Sequence, residues 1–263
     1  MIIGLSGVCG FWLLQHRAIF LHAMFTHLPT VRNRPLEPFQ VVSVLGVILL
    51  FAIPVALAPT HTSPDIPPSL GNLILSCMAY AAFGLSTCAC VLALRRTTFY
   101  TAFLKTDTAW QIACLKGLLY GIATITPVLF LSYGCTEALD WIGVDTSSQD
   151  VFAWLKDSSL PLSGKLIISA AAILFAPLTE ELLFRGILFP CALKPHRSFW
   201  LSTLLVGILF AIVHFHPASF LPLIALSTSF SAGYAQTGSL LTPITMHAVF
   251  NTVSLLFFYA GFE

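Results

Sequence analysis

Glu180, Glu181 and Arg185 stand within APLTEELLFRGIL, residues 176–188, an otherwise apolar run in which ionisable side chains need a reason. On a helix each residue turns by about 100°, so Glu181 and Arg185, four apart, share a face and suit an ion pair. Glu180 points about a quarter-turn away from that pair. A carboxylate so placed is suited to taking up and returning a proton, which makes Glu180 the candidate general base. Two more polar stations lie further along the chain. In FAIVH, His214 lies one turn after Phe210, either bonded to a backbone carbonyl in the core or resting at the membrane edge near His216 and Pro217, and functional where a partner can be named for it. In HAVFN, His247 and Asn251 are hydrogen-bond donors at i, i+4 and point together into whatever the last helix packs against. Two co-facial donors suit a developing oxyanion; as a plain clasp between helices they would contribute about 1–2 kcal/mol. His216, beside Pro217, reads as a residue of the membrane edge.

The elements that must position these groups are set by composition. The chain has 263 residues, 57% of them hydrophobic and 9% charged, where a soluble domain carries about 25% charge. The expected fold is all-α: a polytopic membrane protein with about eight spanning helices in a single bundle, since each span needs about 20 apolar residues. The runs fall near residues 2–25, 40–59, 71–94, 112–133, 164–189, 199–216, 219–235 and 239–260. Residues 1–150 hold the N-terminal helices and residues 151–263 the chemistry-bearing core, as one integrated membrane domain. The first run resembles the apolar part of a signal peptide, but lacks a basic lead and a small-residue cleavage site and is expected to be retained.

Lys and Arg mark cytoplasmic loops. Arg32 and Arg34, then Arg95, Arg96 and Lys105, then Lys194 and Arg197 come after the first, third and fifth runs, so both termini are expected outside. Residues 140–160 carry Trp141, Phe152 and Trp154 among acids, and read either as an element lying at the outer interface or as a plain tether. A net charge of +1 without basic blocks gives no sign of nucleic-acid binding. The seven cysteines, Cys9, Cys77, Cys88, Cys90, Cys114, Cys135 and Cys191, are scattered and odd in number, which fits small buried hydrophobes rather than disulfides or a zinc knuckle. Prolines interrupt the apolar runs, and Pro177, three residues before Glu180, is placed to bend its helix beside the acidic pair.

Taken together, Glu-Glu-x-x-x-Arg, Phe-x-x-x-His and His-x-x-x-Asn, each in its own late apolar segment and in that order, resemble the signature of the CPBP family of intramembrane proteases. That family includes type II CAAX prenyl endopeptidases and bacterial proteins of bacteriocin processing or immunity. The resemblance runs through Pro177, Glu180, Glu181, Phe184, Arg185, Gly186, Phe210, His214, Gly233, Thr237, Gly238, Ser239, His247 and Asn251, over roughly the last 100 residues. It implies a multi-pass protein of the plasma membrane, with the lipid bilayer and a peptide or membrane-protein substrate as partners. It also implies an endopeptidase in which Glu180, helped by His214, deprotonates a water, Glu181 holds Arg185, and His247 with Asn251 forms the oxyanion hole. No feature of the sequence fixes an oligomeric state.

Three other readings stay open. Glu180, His214 and His247 would suit Zn²⁺ as a carboxylate and two imidazoles, although no His-Glu-x-x-His occurs and Arg185 opposes a divalent cation, so no cofactor is expected. A scaffold or bacteriocin-immunity protein would keep the same residues as buried clasps. A transporter would use them as a proton relay, against which stands the lack of matching interrupted halves. One piece of helix arithmetic conflicts with the catalytic reading. At 1.5 Å per residue Glu180 lies about 15 Å from Pro190, whereas His214 lies about 25 Å from Arg197. Catalytic partners must be closer in depth than that.

Overall fold

A computed structural model describes residues 27–36, 46, 106–144, 146, 150–156, 158, 160–196 and 198–261. The expected runs at 2–25, 40–59 (apart from residue 46) and 71–94, and Cys9, Cys77, Cys88 and Cys90, lie outside the described residues. Each of the other five runs is a helix, and no strand occurs among the described residues.

A short α1 (Leu28–Arg32) is followed by α2 (Trp110–Trp141), whose 32 residues extend for about 48 Å. Trp110 and Trp141, 64% and 88% exposed, bracket α2 as interfacial anchors. The short α3 (Asp150–Lys156) leads into α4, which runs unbroken through Leu162–Ala170, Ala171–Phe175, Ala176–Glu181, Leu182–Leu188 and Phe189–His196. Its second and fourth stretches are π-helical. After α5 (Phe199–Ile212) and a 3₁₀ turn (Pro217–Ser219) come α6 (Phe220–Thr237) and α7 (Leu241–Tyr259).

The eight-span expectation needs narrowing. Among the described residues three helices, Trp110–Trp141, Leu162–Pro195 and Leu241–Tyr259, are long and apolar enough to cross a membrane. α5 is apolar but has 14 residues, about 21 Å, short of a hydrocarbon core of about 30 Å. α6 has 18 residues with Ser227, Ser231, Gln236 and Thr237 buried along it. Large apolar side chains such as Leu115, Phe130, Leu166, Leu174 and Leu204 stay exposed, the surface a bilayer would cover.

α2 packs most extensively against α7, and glycines allow the approach. A Cβ on Gly117 would sit 2.6 Å from Thr245 Cβ and 2.7 Å from the Thr242 carbonyl oxygen; one on Gly121 would sit 3.1 Å from Met246 Cα. Gly117-Leu-Leu-Tyr-Gly121 is thus a small-residue face of the kind that brings membrane helices close. Gly117→Ala should cost about 1–3 kcal/mol, because backbone rather than a flexible side-chain tip must give way. Thermal unfolding in detergent checks this: a melting temperature within a degree of wild type would mean that the helices do not approach here.

The connections gather at two ends of the bundle. At one end Arg34 Nη2 donates to the Gly238 carbonyl (2.8 Å), Thr106 and Thr108 donate to the Thr237 carbonyl (3.1 and 2.7 Å), and Lys194 donates to the Leu36 carbonyl. Arg34 and Lys194 are among the residues expected on the cytoplasmic side. At the other end lie α3 and the far ends of α4 and α7, where Leu155, Leu160, Ile168 and Leu255 form a small core joined by Phe152, Trp154 and Phe258. The segment 140–160 is therefore not a plain tether. Its helical part is packed onto the bundle, with the Phe152 and Phe258 rings 5.1 Å apart.

Candidate active site

The acidic pair occupies a six-residue α-helical stretch, Ala176–Glu181, set between two π-helical turns. The first turn is a consequence of Pro177. The Ala176 N–H bonds to the Ala171 carbonyl, five residues back, and Pro177 has no N–H to offer the next one, so the Ala172 carbonyl receives no helical donor. Asn251 Nδ2 of α7 donates to it at 2.7 Å. A π turn inserts a residue into the helical ladder and rotates the residues beyond it, so it bears directly on where Glu180 and Glu181 point.

Glu181 and Arg185 form the pair the spacing predicts. Arg185 Nη1 lies 3.0 Å from each Glu181 oxygen, and both side chains are fully buried. Arg185 Nη2 also donates to the Ser227 carbonyl (2.8 Å) and hydroxyl (2.7 Å) on α6. Its guanidinium carbon lies 5.1 and 5.2 Å from the Phe210 and Phe230 ring centres, cation–π contacts that shield the charge from hydrocarbon. Ser227 and Phe230 carry no spacing signal in the apolar sequence of α6 and could not be found there.

Glu181 has a second partner. His247 Nδ1 donates to Glu181 Oε1 at 2.9 Å, fixing the imidazole so that Nε2 turns toward Glu180. The Phe230 ring stacks on His247 at 5.0 Å. His214 is fixed in the same fashion, with Nδ1 donating to the Phe210 carbonyl at 2.6 Å and the Phe210 ring 4.7 Å away. This is the backbone bond of the structural reading, yet it leaves Nε2 to face the acid. Glu180 Oε2 lies 3.9 Å from His214 Nε2 and 4.0 Å from His247 Nε2.

The conflict in depth resolves through the helix boundaries: α4 continues past Pro190 to His196, about 24 Å beyond Glu180, and His214 lies about 22 Å from Phe199 at the start of α5. α5 ends at Ile212, and His214 stands in a turn whose Phe215 has φ +50°, a left-handed conformation costly for a bulky residue. His216, assigned to the membrane edge, accepts from the Ser219 N–H at 3.2 Å and caps the 3₁₀ turn.

Glu180, His214, His247 and Asn251 all line one cavity of about 490 Å³, whose wall is otherwise mostly apolar, with Val128 from α2, Phe152 from α3, Leu226 from α6 and Phe250 from α7. Glu181 and Arg185 lie behind it. Of the six residues singled out in the sequence, four reach the cavity and two support it. Of His247 and Asn251, expected to act as a pair, the first faces Glu180 through Nε2 and the second gives one of its two amide hydrogens to the Ala172 carbonyl.

A family model described as type II CAAX prenyl endopeptidase Rce1-like matches residues 162–253. Over those residues the chain is similar to the CPBP-family intramembrane proteases, the likeness its three motifs carry. The match takes in α4, α5, α6 and α7 as far as Val253, and with them every one of the six residues. Peptide hydrolysis is the family's activity, and the helices of this CPBP segment make the chain an integral membrane protein. No match is found among curated proteins or among solved structures.

Whether the CPBP cluster suits zinc is a matter of spacing. Donor atoms about 2.0–2.1 Å from a tetrahedral zinc lie about 3.3 Å from one another. Glu180 Oε2 is 3.9 and 4.0 Å from the two imidazoles, and Arg185 stands behind the acidic pair. Among the described residues no group of three His, Cys, Asp or Glu is spaced to hold a metal ion.

Proposed function

We propose that the chain is an intramembrane endopeptidase in which Glu180 and His214 activate a water for attack on a peptide carbonyl, without a metal. The observation that carries this reading is the approach of both Nε2 atoms to one carboxylate oxygen at the cavity wall. A gap of 3.9 Å between two acceptors is bridged by one water making bonds of about 2.8 Å to each. Glu180 takes the water's proton as its oxygen attacks, and His214 orients the same water from Nε2.

His247 serves the other side of the reaction. With Nδ1–H on Glu181 and a second proton on Nε2, it donates to the oxygen that gains charge as the tetrahedral intermediate forms. Such a preorganised donor is worth about 3–4 kcal/mol of barrier in a site that excludes bulk water. The Glu181–Arg185–Ser227 chain holds it in place from behind. Asn251, with an amide hydrogen on the Ala172 carbonyl, is not assigned the second oxyanion contact.

Purified protein in detergent, offered a library of peptides with apolar segments and read by mass spectrometry, should release cleaved products at a rate unchanged, within about two-fold, by prolonged treatment with a chelator. Loss of cleavage on chelation, restored by Zn²⁺, would favour the zinc reading instead. Absence of any cleaved product would leave the scaffold reading in possession of the site.

A further inference from the structure

The sequence and the family signature both draw Asn251 toward the reacting carbonyl, but its geometry gives it different work. We infer that Asn251 is a positioning residue: it supplies the hydrogen bond that Pro177 withholds from the Ala172 carbonyl, and by holding that π turn it sets the rotation of Glu180 toward His214 and His247. The inference rests on the proposed function only for what Glu180 does; the link between Asn251 and Pro177 stands on hydrogen bonding alone.

The accounting is local. In a regular α-helix the Ala172 carbonyl would take the Ala176 N–H; in a π turn it would take the N–H of residue 177. Ala176 bonds to Ala171 instead, and residue 177 is proline. A carbonyl left bare in a membrane helix is costly unless a neighbouring helix supplies a donor. Asn251 does so at 2.7 Å, from one turn past His247 on α7. The same contact ties α7 to α4 eight residues before Glu180. If the turn relaxed to a regular helix, the stretch Ala176–Glu181 would rotate by roughly 100° relative to Leu162–Ala170, turning the carboxylate from the imidazoles.

A double-mutant cycle on the full chain tests this. Asn251→Ala, Pro177→Ala and the double variant are purified in detergent and compared with wild type by thermal melting and by kcat and KM on peptides that the wild type cleaves. Asn251→Ala should lower the melting temperature by about 2–8 °C, the consequence of one bare carbonyl. It should lower kcat by about a hundred-fold with KM little changed, as expected for a misplaced base. Alanine at position 177 restores an N–H next to the gap, so in the Pro177→Ala background both effects of Asn251→Ala should shrink markedly. Equal effects of Asn251→Ala in both backgrounds overturn the inference, and so does coupling confined to the melting temperature. A loss of kcat with unchanged melting, indifferent to residue 177, marks Asn251 as a direct oxyanion donor and overturns it as well. If wild type cleaves nothing, the proposed function fails by itself, and melting still reports whether Asn251 and Pro177 are coupled.

Discussion

Replacing Glu180 with glutamine should lower turnover by at least about a hundred-fold while the protein melts within a few degrees of wild type. Glutamine matches the size of the acid and keeps one acceptor oxygen, so it can occupy the gap between His214 and His247. It cannot take a proton from water, and general-base assistance typically contributes 100- to 10,000-fold. The stability expectation comes from the site: Glu180 lies on the cavity wall, 3.9 and 4.0 Å from its neighbours, whereas Glu181 is fully buried and tied to Arg185. The same substitution separates enzyme from scaffold. Wild-type turnover in the glutamine variant would remove Glu180 from the mechanism, however well its geometry fits.

Arg185→Met should be the most damaging single change to stability, at about 3–5 kcal/mol. Methionine fills much of the volume but leaves the Glu181 carboxylate in a fully buried position without its counter-charge, and leaves the Ser227 carbonyl without the 2.8 Å bond from Nη2. The Phe210 and Phe230 rings lose their cation as well. Arg185→Lys should recover little, because a point charge cannot reach Glu181 and Ser227 together from the places the planar fork occupies. Denaturant or thermal unfolding in detergent measures both variants. A methionine variant as stable as wild type would show that the Glu181 charge is met by other means, with His247 the first candidate.

The two predictions differ because neighbouring acids have been given different surroundings. Glu181 spends its oxygens on Arg185 and His247 and builds the frame. Glu180, one residue earlier and rotated by the helix, faces the cavity. Adjacent identical side chains thus divide into support and chemistry without any difference in their covalent nature.

Much of this was legible in the residues. An apolar chain must bury its backbone in helices to sit in lipid, so five of the expected runs could be placed, their starts within about two residues but two of their ends, at Trp141 and His196, seven or eight residues short. The i, i+4 spacing of Glu181 and Arg185 pointed to their pairing, because helical geometry puts such side chains on one face. Pro177 signalled a local departure beside the acids. Chemistry could also be assigned by type: few side chains besides Glu180, His214 and His247 could move a proton in that part of the chain.

What the order of residues could not decide was direction. His247 has two ring nitrogens, and which one met an acid depended on α7 approaching α4 from the side that presents Glu181. Asn251 read as His247's partner because they share a face, but a carbonyl stripped of its donor five residues before Pro177 drew its amide elsewhere. That His214 and Glu180 share a depth depended on α4 continuing past Pro190 to His196, where a proline read as an end. The sequence by itself determined which groups are charged, how they are spaced along each helix and that those helices lie in a membrane, since these are matters of covalent chemistry and local geometry. Tertiary structure decided which atoms meet, because contacts between separate helices are set by how their whole surfaces pack.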